Sequence, residues 1–156
     1  MGVQSDYQTL KKRFFMAEII SIEDYRNLIR PRISKKGWRT VEGRSIFFRS
    51  KWEANYGRYL SYLKANSHIR NWFHEPKTFW FEAIKRGTRS YLPDFQIIEN
   101  NGTTYWVEVK GYMDSKSHTK IKRFRKYYSE EKLILIQGPW FKENNPKMRL
   151  LINDWE

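Results

Sequence analysis

Residues 91–112 decide the reading of this chain: Tyr91-Leu92-Pro93-Asp94-Phe95-Gln96-Ile97-Ile98, then Glu99-Asn100-Asn101-Gly102-Thr103, then Thr104-Tyr105-Trp106-Val107-Glu108-Val109-Lys110-Gly111-Tyr112. Two runs rich in β-branched and aromatic residues flank an Asn-Gly pair. Asn101-Gly102 supplies the positive φ angles of a tight turn, so the stretch is expected to fold as a β-hairpin. Strand side chains alternate between faces, which puts Glu108 and Lys110 on the same side. Asp94 stands with Leu92 and Gln96 on one face of the first strand. Packing a hydrophobic sheet does not call for two acids and a lysine on one hairpin, so the cluster needs a chemical reason.

Working outward, Leu133 to Ile136 is an unbroken apolar run, expected to be a strand buried on both faces. Between it and the hairpin, Lys116 to Tyr128 has the apolar spacing Ile121, Phe124, Tyr128 of a helix. Lys116, Lys120, Lys122, Arg123, Arg125 and Lys126 crowd its other side. Such a helix is ordinarily just solvated, but beside an acidic cluster it is well placed to hold phosphates. A strand, helix, strand crossover implies one parallel pairing in an otherwise antiparallel sheet. Upstream, Lys51 to Ala65 carries Trp52, Tyr56, Tyr59, Leu60 and Leu63 at helical spacing. Ser50 and Glu53 at its start match a capping box, in which the Glu folds back onto the backbone. Glu53 could instead point toward the hairpin acids. Gly57, one turn on, is expected to leave space above it. The second half of Ile69 to Glu82, Thr78-Phe79-Trp80-Phe81, is expected to be a strand, with a loop at Lys85-Arg86-Gly87. Glu75 precedes Pro76 and should therefore be extended. It is a secondary candidate for the site.

The fold class is α/β, a mixed central sheet flanked by helices. Residues 1–45 are expected to form a helical N-terminal arm, with helices near Asp6–Ile20 and Ser21–Ile29, and 46–156 the core with a C-terminal extension. The tail from Trp140 to Glu156 should pack on the core.

The 156 residues suffice for one domain, and an apolar fraction of 40% with 17% aromatics argues against disorder. No apolar run approaches the roughly 18–20 residues of a membrane span, so no membrane is expected as a partner. The opening residues lack the pattern of a secretory signal. The absence of cysteine excludes disulfides and Cys-based zinc sites. That absence fits a reducing compartment, and the expected location is the cytoplasm. Thirty Lys and Arg against 17 Asp and Glu leave a formal charge of +13, which favours an anionic partner, nucleic acid first. His68, His74 and His118 show no metal-ligand spacing.

Magnesium takes oxygen ligands from one or two carboxylates, waters and phosphate oxygens. Asp94 and Glu108 can supply the carboxylates and Val109 a carbonyl, while Lys110 stands where it could orient a nucleophile or offset charge on a phosphate.

Pro93-Asp94, 13 intervening residues, and Glu108-Val109-Lys110 form the motif of the PD-(D/E)xK nuclease superfamily. Together with Phe48-Arg49-Ser50-Lys51-Trp52-Glu53 and Glu108-Val109-Lys110-Gly111, the chain resembles the small phage endonuclease I group, which is Holliday-junction resolvase-like, over roughly residues 46–137. The resemblance implies a restriction-endonuclease-like core of order αβββαβ. It implies a metal-dependent DNA endonuclease hydrolysing phosphodiester bonds, phage-type and selective for branched or junction DNA. It implies Glu53, Asp94, Glu108 and Lys110 as catalytic residues, and Asp94, Glu108, Val109 and Glu53 as holders of Mg²⁺, for which Mn²⁺ could substitute. Arg49, Lys51, Lys85, Arg86, Lys116, Lys120, Lys122 and Arg123 are the candidate DNA contacts, and a homodimer is the simplest assembly for cutting a duplex. The alternatives are a site-specific nicking or homing endonuclease, or a non-cleaving nucleic-acid-binding module on the same fold. An assembly protein using its aromatic surface is a third.

Overall fold

The computed structural model describes residues 36–156. The two helices expected within residues 6–29 lie outside the described residues. The elements run β1 (Gly37–Val41), β2 (Arg44–Phe48), α1 (Lys51–Ala65), β3 (Asn71–His74), β4 (Phe79–Trp80), β5 (Ser90–Tyr91), β6 (Phe95–Ile98), β7 (Thr104–Val109), α2 (Ser115–Tyr127), β8 (Leu133–Ile136) and α3 (Gly138–Leu151).

The main sheet has the order β3-β6-β7-β8. β3–β6 and β6–β7 are antiparallel, and β7–β8 is parallel, as the crossover through α2 requires. Alternation sorts the side chains of the sheet into two cores. Phe95, Ile97, Val107 and Val109 join Trp72, Ala54, Tyr56 and Leu60, with Phe141 and Met148 from α3. On the other face Trp106 packs with Phe124 of α2 and with Phe79, Phe81 and Tyr91. Among the described residues no helix is long and apolar enough to cross a membrane.

Several expectations are corrected here. The arm was expected to be helical through residue 45, but a two-stranded hairpin crosses that boundary, pairing Trp38 with Phe47 and Val41 with Arg44. Its turn is Glu42-Gly43, both at positive φ (50° and 71°), the geometry of a two-residue hairpin turn. The strand of the main sheet lies at Asn71–His74 and not at Thr78–Phe81. Phe79–Trp80 does form a strand within that stretch, β4, but among the described residues it pairs with β5 alone, because Phe79 and Phe81 are drawn under α2. β8 is an edge strand, so only Ile136 in it is buried. In the opening hairpin, Gly102 alone takes positive φ, at 88°. Its N–H donates to the Glu99 carbonyl (3.0 Å), and Asn101 accepts from the Thr103 N–H (2.8 Å). The connection is therefore a turn closed over Asn100-Asn101 with glycine beyond it. The space over Gly57 is filled: a Cβ there would stand 3.1 Å from Phe48 Cζ.

The tail packs on the core as expected. Pro139 sits in the first turn of α3, where its missing N–H is not needed. Phe141 stacks on Trp52 with ring centroids 4.7 Å apart. Asn55, almost fully buried, donates to the Glu156 carbonyl (2.8 Å) and accepts from its N–H (3.0 Å).

Candidate functional site

The site arises where the β6–β7 ladder is interrupted. Glu99 donates to the Thr103 carbonyl at 2.8 Å, so Glu99 and Thr103 are a hydrogen-bonded pair. With Phe95 opposite Val107, alternation makes Phe95–Val107 another such pair. The ladder ends there, at a bend on Asp94; carried one residue past its end, the same register sets Asp94 toward Glu108 at a position of the non-hydrogen-bonded kind, and the Glu108 charge bears on Asp94. Two further, Val109 falls opposite Pro93, which has no N–H to give. The Asp94 side chain takes over this broken rung: its Oδ2 accepts the Val109 N–H at 2.7 Å. Because the N–H and C=O of one extended residue face the same edge, the Val109 carbonyl opens into the gap beside Asp94.

Glu108 is held at both oxygens. Oε2 accepts from the Tyr91 hydroxyl at 2.8 Å, a buried bond, and Oε1 lies 3.0 Å from Lys110 Nζ. Asp94 and Glu108 are only 5% and 4% exposed, and Glu53 7%. Burial raises the Asp94 carboxyl well above its ordinary range; the charges of Glu108 and Glu53 push the same way, against the Val109 N–H and Lys110. For Lys110, burial pulls downward but the charges of Glu108, Asp94 and Glu53 outweigh it, and its pKa is raised. It is therefore a cation at neutral pH. Two carboxylates facing each other in a sheet are otherwise destabilising, so this arrangement is not one that folding alone would select.

Glu53 does two things at once. It closes the helix start: Ser50 Oγ accepts the Glu53 N–H (3.1 Å), while Glu53 takes the Arg49 N–H on Oε2 (2.9 Å) and the Ser50 hydroxyl on Oε1 (3.1 Å). Yet it is close enough to Asp94 and Lys110 for its charge to act on both. Burial raises its own pKa, with a further push from Glu75. Among the described residues no three His, Asp or Glu side chains are arranged to hold a metal ion by themselves. A cation here would draw on Asp94 Oδ1, Glu108 and the Val109 carbonyl.

Glu75 is not extended, as Pro76 led us to expect, but left-handed at φ 45°. Its N–H donates to the Asp94 carbonyl (2.9 Å), and its Oε1 lies 2.5 Å from an Arg49 guanidinium nitrogen. That ion pair and the reach of Glu75's charge to Glu53 place it beside the cluster. His74, between the rings of Phe48 and Phe95, is held neutral: burial and then the Arg49 charge bring its pKa down to about 4.

The candidate DNA contacts divide. Lys116 and Lys122 on α2, and Lys85 and Arg86 in the loop between β4 and β5, are exposed, and Lys120 is half-buried. Arg123 donates to the Thr88 carbonyl and ties α2 to that loop, while Lys51 lies 3.9 Å from Glu156. Two contributors escaped the sequence reading. Tyr91 carries no sequence signal of contact with a residue 17 positions on. Asp114 caps α2, accepting the Ser117 N–H at 2.6 Å, and the Ser/Asp-rich start of that helix was its signal.

The fold and site define a mixed α/β domain with a buried, like-charged carboxylate pair and a lysine where a ladder rung fails. By comparison with known families, the chain belongs to the one described as "Protein of unknown function (DUF1064)", which matches residues 32–143. No curated protein matches it.

Proposed function

We propose that this protein is a metal-dependent DNA endonuclease of the PD-(D/E)xK kind, hydrolysing phosphodiester bonds in branched or junction DNA. The observation that carries the reading is the buried, mutually acting carboxylates of Asp94 and Glu108, with Asp94 on the Val109 N–H and Lys110 on Glu108, just past the end of the ladder beside Pro93. The element sequence α1, β3, β6, β7, α2, β8, with one parallel pair at its end, supports the αβββαβ core expected from the resemblance.

The donor set suits a hard cation: two carboxylates and a carbonyl oxygen, with water and phosphate to complete the shell. Mg²⁺ bound there would lower the pKa of a water ligand and offset charge on the phosphate, and Mn²⁺ could replace it. The chain's own groups do the rest. Val109 N–H holds Asp94 through Oδ2, which leaves Oδ1 as the oxygen to offer a cation. Tyr91 and Lys110 fix the Glu108 carboxylate. Lys110, kept charged by its acidic neighbours, is the group to orient the attacking water or to neutralise the transferring phosphate. Glu53 reaches the site through water, since both its oxygens serve the cap. Lys116, Lys120 and Lys122 with Lys85 and Arg86 hold the flanking phosphates. Two copies acting together would serve a duplex or a junction, and the setting is the cytoplasm of a bacterial or phage-infected host cell.

The test is a panel of linear duplex, nicked, flap and four-way-junction DNA with Mg²⁺, Mn²⁺ or EDTA. The wild type should cut branched forms in either metal and none in EDTA. Asp94→Ala, Glu108→Ala and Lys110→Ala should lose cleavage and keep DNA binding in EDTA. Failure of folded wild-type protein to cut any form leaves a non-cleaving module. Cutting confined to one duplex sequence makes it a site-specific enzyme instead.

A further inference from the structure

A groove opens between the β1–β2 hairpin and β3, with a volume of about 490 Å³; Trp38, Phe47, Phe73, Arg44 and Arg49 are among the residues lining it. That volume falls within the usual range of ligand sites, about 300–1,000 Å³, and admits a nucleobase with its sugar. Strand alternation explains the wall. Phe48 is fully buried, so Phe47 must face outward, and its register partner Trp38 faces outward with it. Their rings meet edge to face at 5.5 Å. Trp72 and Phe73 divide in the same way on β3. Trp38 remains 70% exposed, Phe47 39% and Phe73 38%. Three large aromatics left in water on one groove are hard to account for by folding, since each could have been polar on that face.

The cations are matched to this aromatic wall. The Arg44 guanidinium lies 5.6 Å from the centre of the Trp72 ring and pairs with Glu42 at 3.0 Å, an exposed contact. Arg49 pairs with Glu75 at the other end. The Arg44–Glu42 pair is exposed and contributes little, about 0–1 kcal/mol, so a phosphate can replace that carboxylate, while the Arg49 side chain, 59% exposed, can hold a phosphate and Glu75 together. That end of the groove is also the threshold of the acidic cluster. Arg49 donates its backbone N–H to Glu53, and Glu75 donates its own to the Asp94 carbonyl.

From these features we propose that the groove binds an unpaired, single-stranded segment of the DNA substrate, its bases stacked on Trp38, Phe47 and Phe73 and its phosphates on Arg44 and Arg49. The proposal rests on the nuclease reading for its biological sense and names the substrate feature that site is offered. Aromatic faces can stack only on bases that expose their own faces, which a closed duplex does not. The groove thus selects for flaps, gaps and the opened centres of junctions, and delivers the adjoining phosphodiester toward Asp94 and Glu108.

The experiment uses the full chain in EDTA, so that cleavage plays no part. Fluorescence anisotropy is measured with a labelled 12-nucleotide oligo-dT, with a blunt duplex of the same length, and for wild type, Trp38→Ala, Trp38→Phe and Phe47→Ala. Trp38→Ala and Phe47→Ala should weaken oligo-dT binding about 5- to 100-fold while duplex binding changes less than twofold. Trp38→Phe should recover most of the affinity. The proposal is overturned if single-strand binding is unchanged, or if both DNA forms weaken equally. It is overturned as well if Trp38→Ala converts a dimer to a monomer by light scattering, which would make the groove a face between copies. Binding without cleavage in Mg²⁺ would leave the groove standing and remove only the nuclease reading.

Discussion

Replacing Asp94 by Asn should make this protein more stable while abolishing metal-dependent cleavage. Asn keeps a side-chain oxygen to accept the Val109 N–H, so the broken rung stays capped. What it removes is a buried charge facing another carboxylate. Directly opposed strand positions hold their Cβ atoms about 4.5–5.5 Å apart. Two unit charges about 5 Å apart repel by about 0.8 kcal/mol in a water-like dielectric and about 3 kcal/mol at an effective dielectric of 20. Lys110, 3.0 Å from Glu108, offsets part of this. A net gain of about 1–2 kcal/mol is expected, or roughly 3–6 °C in Tm for a domain of this size. The assay is thermal unfolding by circular dichroism in EDTA over a pH series reaching into the alkaline range, because the raised Asp94 pKa makes the gain largest where that carboxyl is ionised. Added Mg²⁺ should raise Tm for the wild type and leave the variant unchanged, because only the wild type holds charge for the cation to offset. The Asp94 carboxyl titrates well above its ordinary range, so wild-type repulsion disappears as pH falls through that raised value. The advantage of the variant should therefore shrink toward acid. A folded Asp94→Asn protein with Tm equal to or below wild type at the alkaline end of that series would refute the view that these acids oppose each other at a cost to the fold.

Three further outcomes are expected. Tyr91→Phe removes one buried hydrogen bond to Glu108, so it should lower stability by about 1 kcal/mol and slow cleavage at least tenfold, with DNA affinity in EDTA unchanged. His74, at about 4 in the fold against 6.5 for the free group, favours the folded state fully above pH 6.5; that contribution is lost as pH falls toward 4, and His74→Phe should flatten urea-measured stability over this window. Glu156→Ala removes the carboxylate that two little-exposed arginines share, Arg39 at 2.6 Å and Arg58 at 3.0 Å, and should cost about 1–3 kcal/mol by urea unfolding at pH 7. The Arg39 hydrogen bond, outweighing burial with help from Arg58, holds Glu156 down to about 2, so its contribution is full above pH 4.5 and fades as pH falls toward 2.

How much was legible depended on whether the signal was local. Lys51–Ala65 is α1 at the bounds its apolar spacing predicted, because a 3.6-residue period and a Ser-x-x-Glu start are written within one segment. The parallel pairing of β7 with β8 followed from the helix between them. The β1–β2 hairpin lies across the boundary between the expected helical arm and the core, although Val41-Glu42-Gly43-Arg44 carries the signal of a two-residue turn. Asn71–His74 was missed as a strand of the main sheet because Thr78–Phe81 looks more strand-like; burial under α2, and not propensity, decided between them.

By itself the sequence determined that a hairpin would carry two acids and a lysine near its open end; the register that sets Asp94 and Glu108 on one face came from the turn over Asn100-Asn101, since the two-residue Asn101-Gly102 turn would have put them on opposite faces. It also determined the helix that precedes them and the basic helix that follows. Only the tertiary structure decided that Asp94 would mend the rung Pro93 cannot make, that Tyr91 would hold Glu108, that Glu53 would cap its helix and still act on Asp94, and that Asn55 and Glu156 would clasp across the chain. Each of these depends on which backbone groups a fold leaves unpaired, and a backbone group's partner is known only when its neighbour in space is known.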